Sequence, residues 1–574
     1  MQPILTQDIE VWDTMHKPIT VHIGENSILW HEKSNNLCYY SCRGEIKGYC
    51  LLTDIVFCHY RHKVEEVVVI ALPRKRSHRK VELRERCIQR FSFFSPSKSI
   101  ITSDMLANPA YFIYKHLHQV IMNEYKADTD HILEINKRYY DSEEAMEKLR
   151  HHLAVNPSQS ILEMYGGRNV LVILNPHGGD THAMSLWEDI IKPFFLLINL
   201  KFRFQTTNYA GHAEDLGVSF DSNIYDSVLF ISGDGTVNEF VNGILSRQDA
   251  RSILFTTTIG SISAGSQNSL SRGMGTNNVY TALYCLAKRK VRIFDGICVE
   301  NGAHLCRYAF CGCGWGIISD MVQDYEKYRF LKQYRYWWLK GVHGCFCRRK
   351  HYSSYRYVKG DNQARLQCNH INPSCPECIE SSKSSLHPIP MLPRADLSIL
   401  VRFCLTSSSS DSIPQISPPE FDPEKGVSRP QTTDLLQLQQ PSQEVIPDDE
   451  PKEVRLDDLL QDYSKCLWYE DEGFCHTIGV INTSPDSKWC HSCNGVIDVV
   501  IAKQGNCCQD VSMALKYTVG QEYNCDLMDY IKAKALEINS TTDEVIMLDG
   551  EVFPGPNPFR FVAIPSLLTV FGEY

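Results

Sequence analysis

The chain has 574 residues, of which 43% are hydrophobic and 22% charged, as in soluble globular proteins of roughly two to four domains. Its formal net charge of −10 argues against broad, sequence-independent binding to nucleic acid. No apolar run approaches the ~18 residues of a membrane span, and residues 1–10 lack the pattern of a secretory signal. With 23 cysteines and no such signal, we expect reduced thiols in a cytoplasmic protein whose membrane contact is peripheral.

Residues 1–125 predict a small β-rich module. Apolar and polar residues alternate over short runs such as 51–60 and 64–72, with turn residues and charges between them. A basic stretch follows within 72–90, and it includes Arg74, Lys75, Arg76, Arg79 and Lys80. Two interpretations of this stretch stay open: a solvated loop, or a contact with anionic lipid headgroups worth about 1 kcal/mol per basic residue.

Helical spacing and charge pairs run from about Ala110 to His152, which predicts a helix closing the module and a helical connector over 126–164. Over 165–296, short apolar runs alternate with helical patterns, as in a parallel α/β sheet. The predicted strands are 169–174, 201–207 and 225–231, and the predicted helices are 184–195, 212–217 and 237–245.

The pattern over 297–574 returns to short strands, for example at 307–311 and 496–502. Within this part, residues 381–462 are rich in serine, proline, glutamine and acidic residues, which predicts a disordered insertion in a β-rich region. The chain is therefore predicted to be a multidomain α+β protein.

The first candidate binding segment is Asn175-Pro176-His177-Gly178-Gly179, directly after a predicted strand. Paired glycines allow the backbone to turn sharply and to approach a ligand closely. Successive backbone N–H groups and the start of the next helix attract anions such as phosphate. A turn that only connects a strand to a helix is the alternative.

The second candidate segment is 231–239, where an aspartate stands between two glycines at the end of an apolar strand. Its residues are Ser232, Gly233, Asp234, Gly235, Thr236 and, at the start of the next helix, Glu239. With so little bulk around it, the Asp234 carboxylate could reach a substrate hydroxyl while the backbone contacts a nucleotide.

A third segment, 258–268, is a loop of small residues that includes Gly265 and Ser266 and could accommodate the nucleotide. P-loop and protein-kinase signatures are absent from the sequence.

In this order, the three segments resemble the catalytic domain shared by diacylglycerol, sphingosine and ceramide kinases. Two further segments carry the resemblance: 314–335, which begins Gly-Trp-Gly and contains Arg329 and Arg335, and 548–551, which reads Leu-Asp-Gly-Glu. The resemblance implies a phosphofructokinase-like nucleotide lobe over 165–296 and a β-sandwich lipid lobe over 297–574.

The resemblance also implies roles for individual residues. Asp234 matches the general base, which accepts the proton of a primary hydroxyl as that hydroxyl attacks the γ-phosphate of Mg²⁺-bound ATP. The residues expected to bind ATP are Asn175, Pro176, Gly178, Gly179, Ser232, Gly233, Gly235, Thr236, Glu239, Gly265, Ser266, Arg329, Arg335, Asp549, Gly550 and Glu551. Those expected to bind the lipid are Gly316, Asp320 and Val322.

Three features are similar to ceramide kinases in particular. Val322 stands where sphingosine kinases carry an acidic residue that pairs with the sphingoid amine. Residues 273–283 look like the corresponding ceramide kinase stretch, and the β-rich module is similar to their pleckstrin-homology region. The implied reaction converts ceramide to ceramide 1-phosphate. The alternatives are a sphingosine or diacylglycerol kinase, or a lipid-binding regulator that has lost catalysis.

Cysteine pairs suggest a separate site. Cys375 and Cys378 form one C-x-x-C pair and Cys490 and Cys493 another, and two such pairs can hold a structural zinc ion. Unpaired thiols are the alternative interpretation. With Cys368, the first pair also partly matches a cysteine motif of ceramide kinases.

The resemblance to these lipid kinases further implies regulation by calcium–calmodulin, for which 325–340 is a candidate basic, aromatic helix.

Overall fold

The structure is a computed structural model. It describes residues 7–15, 17–24, 26–32, 46–61, 63–76, 82–95, 109–139, 147, 150, 165, 167–176, 182–265, 268–325, 327–328, 338, 351–360, 466–483, 489–505, 509, 513, 525–540 and 545–572. The predicted insertion over 381–462 lies outside these residues.

The N-terminal module is built on an antiparallel sheet, as its alternating pattern predicts. Its strands, in spatial order, are β4 (Ile46–Leu51), β3 (Ser27–Glu32), β2 (Pro18–Ile23), β1 (Gln7–Trp12), β9 (Gln89–Phe94), β6 (Glu66–Ala71) and β5 (Ile55–Arg61). Strands β7 (Arg74–Arg76) and β8 (Glu82–Arg86) form a separate ribbon that contains part of the basic stretch. Helix α1 (Pro109–Tyr139) packs on β5 and β6 and continues past position 125. The comparison with a pleckstrin-homology region stays a prediction.

Residues 165–296, the predicted nucleotide lobe, form a parallel sheet with helices, as the alternation of strands and helices predicts. Its strands, in order, are β11 (Lys201–Thr206), β10 (Asn169–Leu174), β12 (Ser227–Ser232) and β13 (Thr258–Ser263). The helices are α2 (Ala183–Leu186), α3 (Lys192–Leu197), α4 (His212–Val218), α5 (Asp234–Leu245), α6 (Ala250–Thr256), α7 (Ser269–Gly273) and α8 (Val279–Lys288), with a π-helical turn at Trp187–Ile191. Every residue of β12 is buried, because a parallel strand is covered on both faces.

The C-terminal region is mainly antiparallel β structure. Its elements are β14 (Val291–Glu300), β15 (Cys306–Ala309), β16 (Gly312–Gly316), α9 (Ile317–Tyr325), β17 (His351–Lys359), β18 (Trp468–Ile481), β19 (Ile497–Lys503), β20 (Met528–Ser540), β21 (Ile546–Leu548), β22 (Glu551–Phe553) and β23 (Phe559–Phe571). Strand β23 pairs with β13 of the nucleotide lobe through Ile259 and Val570 and runs antiparallel to β14. The two lobes therefore share one continuous sheet, with a second core around Trp315, Ile478 and Phe559.

The N-terminal module packs against the nucleotide lobe through α8. One apolar core extends from the module's strands to α8. Tyr165 Oη donates a 2.8 Å hydrogen bond to the Val56 carbonyl, and Arg168 Nη1 donates one of the same length to the Leu286 carbonyl. Among the described helices, none is long and apolar enough to cross a membrane.

Candidate active site

Asp234 is held where strand β12 gives way to helix α5. Strand β12 ends at Ser232, Gly233 is extended, and Asp234 opens the helix. The Asp234 carboxylate accepts hydrogen bonds from the backbone N–H groups of Ser269 (2.8 Å) and Leu270 (3.0 Å), which begin α7. Burial raises the pKa of Asp234, while these two amides and the nearby charge of Arg272 oppose the rise. A fixed carboxylate with a raised pKa has the properties of a general base.

Two of the predicted segments meet at Gly233 and Gly265. A Cβ atom on Gly265 would lie 2.4 Å from Gly233 Cα, so only glycine fits this approach of two backbones. Asn268 fixes the loop, because its Oδ1 accepts from Gly265 N at 2.7 Å and its Nδ2 donates to Gly265 O at 2.8 Å. This asparagine has a positive φ of 53° and was not among the predicted site residues.

The first predicted segment joins the same place. Asn175 Nδ2 donates to Thr236 Oγ1 at 3.1 Å, and Asn175 N donates to the carbonyl of Ile231 at 3.3 Å. Pro176 follows in a turn at the carboxyl end of β10. The described parts of all three segments therefore lie at the same edge of the parallel sheet, where ligands bind in folds of this type.

Asp549 holds a hairpin from the far end of the chain at this edge. Its carboxylate accepts from the backbone N–H groups of Phe310 (2.7 Å), Cys311 (2.9 Å) and Gly312 (2.8 Å). Asp549 and Gly550 form the two-residue turn between β21 and β22, with φ angles of 47° and 94°, as an Asp-Gly turn of type I′ requires. Burial raises the pKa of Asp549 to about 6, against the effect of these amides.

Glu551 follows the turn and lies against the first turn of α5. A Cβ atom on Gly235 would be 3.4 Å from Glu551 Oε1. Although Glu551 is exposed as a residue, partial removal of its carboxyl from water raises its pKa to about 7. The charges of Glu239 and Asp549 add to the rise, and Arg307 opposes it. Several acidic groups thus repel one another beside Gly235, and a cation would relieve that repulsion.

Glu239 has a local structural contact as well. The backbone amides of Gly211 and Ala213, at the start of α4, hydrogen-bond to its carboxylate and oppose the increase in its pKa caused by burial. Glu239, which was predicted to bind the nucleotide, therefore also holds the start of α4 in place.

The predicted lipid residues lie on β16 and α9. Gly316 has a φ of 82°, and a Cβ atom there would be 2.5 Å from the His476 carbonyl oxygen, so glycine is required where β16 meets β18. Asp320 is buried and Val322 is half-buried on α9. This helix packs against β21 and β22, the hairpin that carries Asp549 and Glu551. The predicted lipid and nucleotide residues are thus connected through one hairpin.

Several predicted site residues fall in parts of the chain that the structure does not describe: Gly178, Gly179, Ser266, Arg329, Arg335, Cys375 and Cys378. Of the second cysteine pair, Cys490 is buried and its Sγ donates to the Asn482 carbonyl at 2.8 Å, while Cys493 is half-buried. Within the described ranges, no group of three histidine, cysteine or acidic residues is arranged to hold a metal ion. The zinc prediction therefore has no support from the described cysteines.

Asn238 is a further residue that sequence reasoning missed. Its Nδ2 donates to Asp549 Oδ2 at 2.8 Å and to the Tyr308 carbonyl at 2.7 Å. A signal was present, because an asparagine one turn after the Gly-Asp-Gly segment faces the same edge of the sheet. Its partner could not be identified from spacing, since the two residues are 311 positions apart.

Comparison with known proteins agrees with this geometry. Residues 169–299 match the diacylglycerol kinase catalytic domain. Sphingosine kinase 1 of Arabidopsis thaliana is 27% identical over 35% of this chain and 42% of that protein. Ceramide kinase of Mus musculus is 29% identical over 32% of this chain and 38% of that protein. The chain thus spans less than half the length of these relatives.

The solved structure of a putative diacylglycerol kinase from Bacillus anthracis aligns with 70% of this chain and 95% of that chain, at 14% identity and a TM-score of 0.43. Over part of the chain, the sequence matches show similarity to lipid kinases, which agrees with the predicted resemblance at that level. They do not separate ceramide kinases from sphingosine kinases.

Proposed function

We propose that the chain is an ATP-dependent lipid kinase that phosphorylates the primary hydroxyl of ceramide to give ceramide 1-phosphate. The observation that carries the proposal is the setting of Asp234. Asp234 opens α5, and its carboxylate is fixed by two backbone amides at the start of α7, beside the close approach of Gly233 and Gly265.

In the proposed reaction, Asp234 accepts the hydroxyl proton as the lipid oxygen forms a bond to the γ-phosphorus. The bond from that phosphorus to the β-phosphate oxygen breaks, and ADP leaves with the electron pair. Gly233 and Gly265 leave room for the phosphates, and the N-terminus of the twelve-residue helix α5 favours their negative charge. The chain's contribution is therefore positioning and charge stabilisation.

Mg²⁺ prefers oxygen ligands and is commonly held by one or two carboxylates together with the phosphates of the nucleotide, a role that the acidic groups beside Gly235 could fill. Glu551 would hold it, with Glu239 nearby, because the mutual repulsion that raises the pKa of Glu551 decreases when a cation binds. When bound, Mg²⁺ supplies charge neutralisation for the phosphates of ATP.

Ceramide is the proposed substrate because Val322, two residues after Asp320 on α9, brings no charge that would attract an amine. A sphingoid base is the second candidate, favoured by the similarity to sphingosine kinase 1 of Arabidopsis thaliana. Peripheral contact with membranes and regulation by calcium–calmodulin remain predictions of the sequence.

The substrate class is tested by incubating the purified full chain with radiolabelled ATP, Mg²⁺ and ceramide, sphingosine or diacylglycerol in matched detergent micelles. We expect labelled ceramide 1-phosphate to be the main product. If sphingosine or diacylglycerol is labelled as strongly as ceramide or more strongly, ceramide is not the preferred substrate. No labelled lipid from any of the three would contradict the proposal as a whole.

A further inference from the structure

A buried acid–imidazole pair lies on the lipid side of the fold, apart from Asp234. Asp320 Oδ2, on α9, is 3.3 Å from His351 Nε2, on the first residue of β17. The side chains are 8% and 5% exposed, so water screens this pair weakly.

The surrounding strands hold the two side chains in place. Strand β18 pairs with β17 through Cys475 and His351, and two residues later it pairs with β16 through Thr477 and Gly316. The His351 ring packs edge-on against the buried Trp315 ring, with centroids 5.5 Å apart. Thr477 Oγ1 donates to the Trp315 carbonyl at 2.6 Å. The position of His351 relative to α9 is therefore built into the sheet.

We propose that His351 is a positioning residue that sets the headgroup preference of the kinase by compensating the charge of Asp320. This inference rests on the proposed function and names a determinant of its substrate class. With the imidazole beside it, Asp320 is available as a hydrogen-bond acceptor for a hydroxyl or amide group and attracts a cation weakly.

The charge of the lipid makes the preference measurable. A sphingoid base carries a protonated amine near its primary hydroxyl, whereas the amide of an N-acylated lipid such as ceramide is neutral. An uncompensated buried carboxylate favours the cationic headgroup, and a carboxylate next to an imidazole loses most of that advantage. Val322, half-buried on the same helix, adds no charge of its own.

The test compares the ratio of kcat/KM for sphingosine to kcat/KM for ceramide. His351→Phe removes the imidazole and keeps an aromatic ring against Trp315, and His351→Gln replaces the imidazole with a neutral, hydrogen-bonding side chain. Both variants are expected to raise the ratio by about tenfold or more, as expected for the loss of a weakly screened charge partner. Adding Asp320→Asn to either variant should bring the ratio down again, which a purely structural role of His351 would not produce.

His304→Phe is the matched control, because it makes the same change at an exposed histidine whose Nδ1 lies 2.9 Å from Glu300 Oε1. It should leave the ratio unchanged. If His351→Phe does not fold, as judged by thermal unfolding, His351→Gln and the Asp320→Asn double variant make the same comparison. An unchanged ratio in folded His351 variants that still phosphorylate ceramide overturns the inference and leaves the proposed function intact. A wild-type chain that phosphorylates neither lipid contradicts both.

Discussion

Asn238 on helix α5 donates a 2.8 Å hydrogen bond to Asp549, a residue 311 positions later in the chain. Through Asp549 the same contact reaches the backbone of Phe310, Cys311 and Gly312. The C-terminal hairpin is thereby attached both to the helix that begins at Asp234 and to the strands of the C-terminal β region. Asp549 is half-buried, and its carboxylate connects the two regions in addition to the role predicted for it at the nucleotide.

Asp549→Asn tests this attachment. The amide cannot accept all the hydrogen bonds that the carboxylate accepts, so buried backbone amides lose their partner. We expect the free energy of unfolding to fall by roughly 2–4 kcal/mol and kcat/KM to fall at least about tenfold as Glu551 shifts. Denaturant unfolding and steady-state kinetics measure the two effects. A variant with wild-type stability and activity would show that Asp549 does not hold the hairpin.

Gly265→Ala is expected to disrupt the nucleotide cradle. The new Cβ atom would lie 2.4 Å from Gly233 Cα, which is backbone and cannot rotate away. We expect KM for ATP to rise at least about tenfold, or the protein to lose roughly 1–3 kcal/mol of stability through overpacking. Gly479→Ala is the matched control, because its Cβ would meet only the Val500 carbonyl at 3.9 Å. Equal behaviour of the two variants would contradict the proposed cradle.

Activity is expected to depend on the protonation of Glu551. Its pKa is raised to about 7, so the carboxyl is largely protonated below that pH and cannot hold a cation. We therefore expect kcat/KM to fall as the pH drops through about 7, and higher Mg²⁺ concentrations to move this decrease to lower pH. Glu551→Gln should remove the Mg²⁺-dependent shift of the profile. If the pH profile of kcat/KM in Glu551→Gln is identical to that of the wild-type chain, the group that titrates is not Glu551.

Stability has the opposite dependence on this carboxyl. Because the folded pKa lies above the ordinary value of 4.5, the contribution of protonated Glu551 is fully present below about pH 4.5 and is lost as the pH rises through about 7. The free energy of unfolding of the wild-type chain should therefore fall, relative to Glu551→Gln, across this window. Chemical denaturation at several pH values, without nucleotide or Mg²⁺, measures the difference.

The N-terminal module is expected to depend on Arg86. Arg86 Nη1 lies 2.8 Å from Asp54 Oδ1, both side chains are buried, and the guanidinium lies 3.5 Å from the centroid of the Tyr284 ring on α8. Arg86→Met leaves Asp54 buried without this cation and should cost roughly 3–5 kcal/mol. Lys192→Met, which breaks an exposed pair with Glu188, should change stability by less than about 1 kcal/mol. Similar effects of the two substitutions would show that the buried pair contributes little.

The sequence predicted the parallel strands over 165–296 well because their signals are local. Strand 169–174 is confirmed at the predicted residues, and the third strand is found at Ser227–Ser232, within two residues of the prediction at either end. Continuous apolar runs that end in glycine and polar residues identify buried parallel strands and the edge at which their loops meet. Asp234, Gly233 and Gly265 could be chosen as candidate site residues because they follow such strands at that edge.

The contacts between distant segments could not be predicted. Arg86 lies close to the basic stretch and was not singled out from the sequence, yet it is buried against α8. Asp549 was expected at the nucleotide, but no spacing rule indicates that it binds the backbone of Phe310 and the side chain of Asn238. Such pairings depend on how separate sheets pack, and periodicity within a single segment does not contain that information.

The central claim is that Asp234 acts as the general base of lipid phosphorylation, and Asp234→Asn tests it most directly. The amide keeps the size of the side chain but cannot accept the hydroxyl proton. Transfer of radiolabelled phosphate to ceramide should fall by about 100- to 10,000-fold, while Asp189→Asn, an exposed change in the same lobe, keeps the wild-type rate. A folded Asp234→Asn variant that phosphorylates ceramide at nearly the wild-type rate would contradict the assignment.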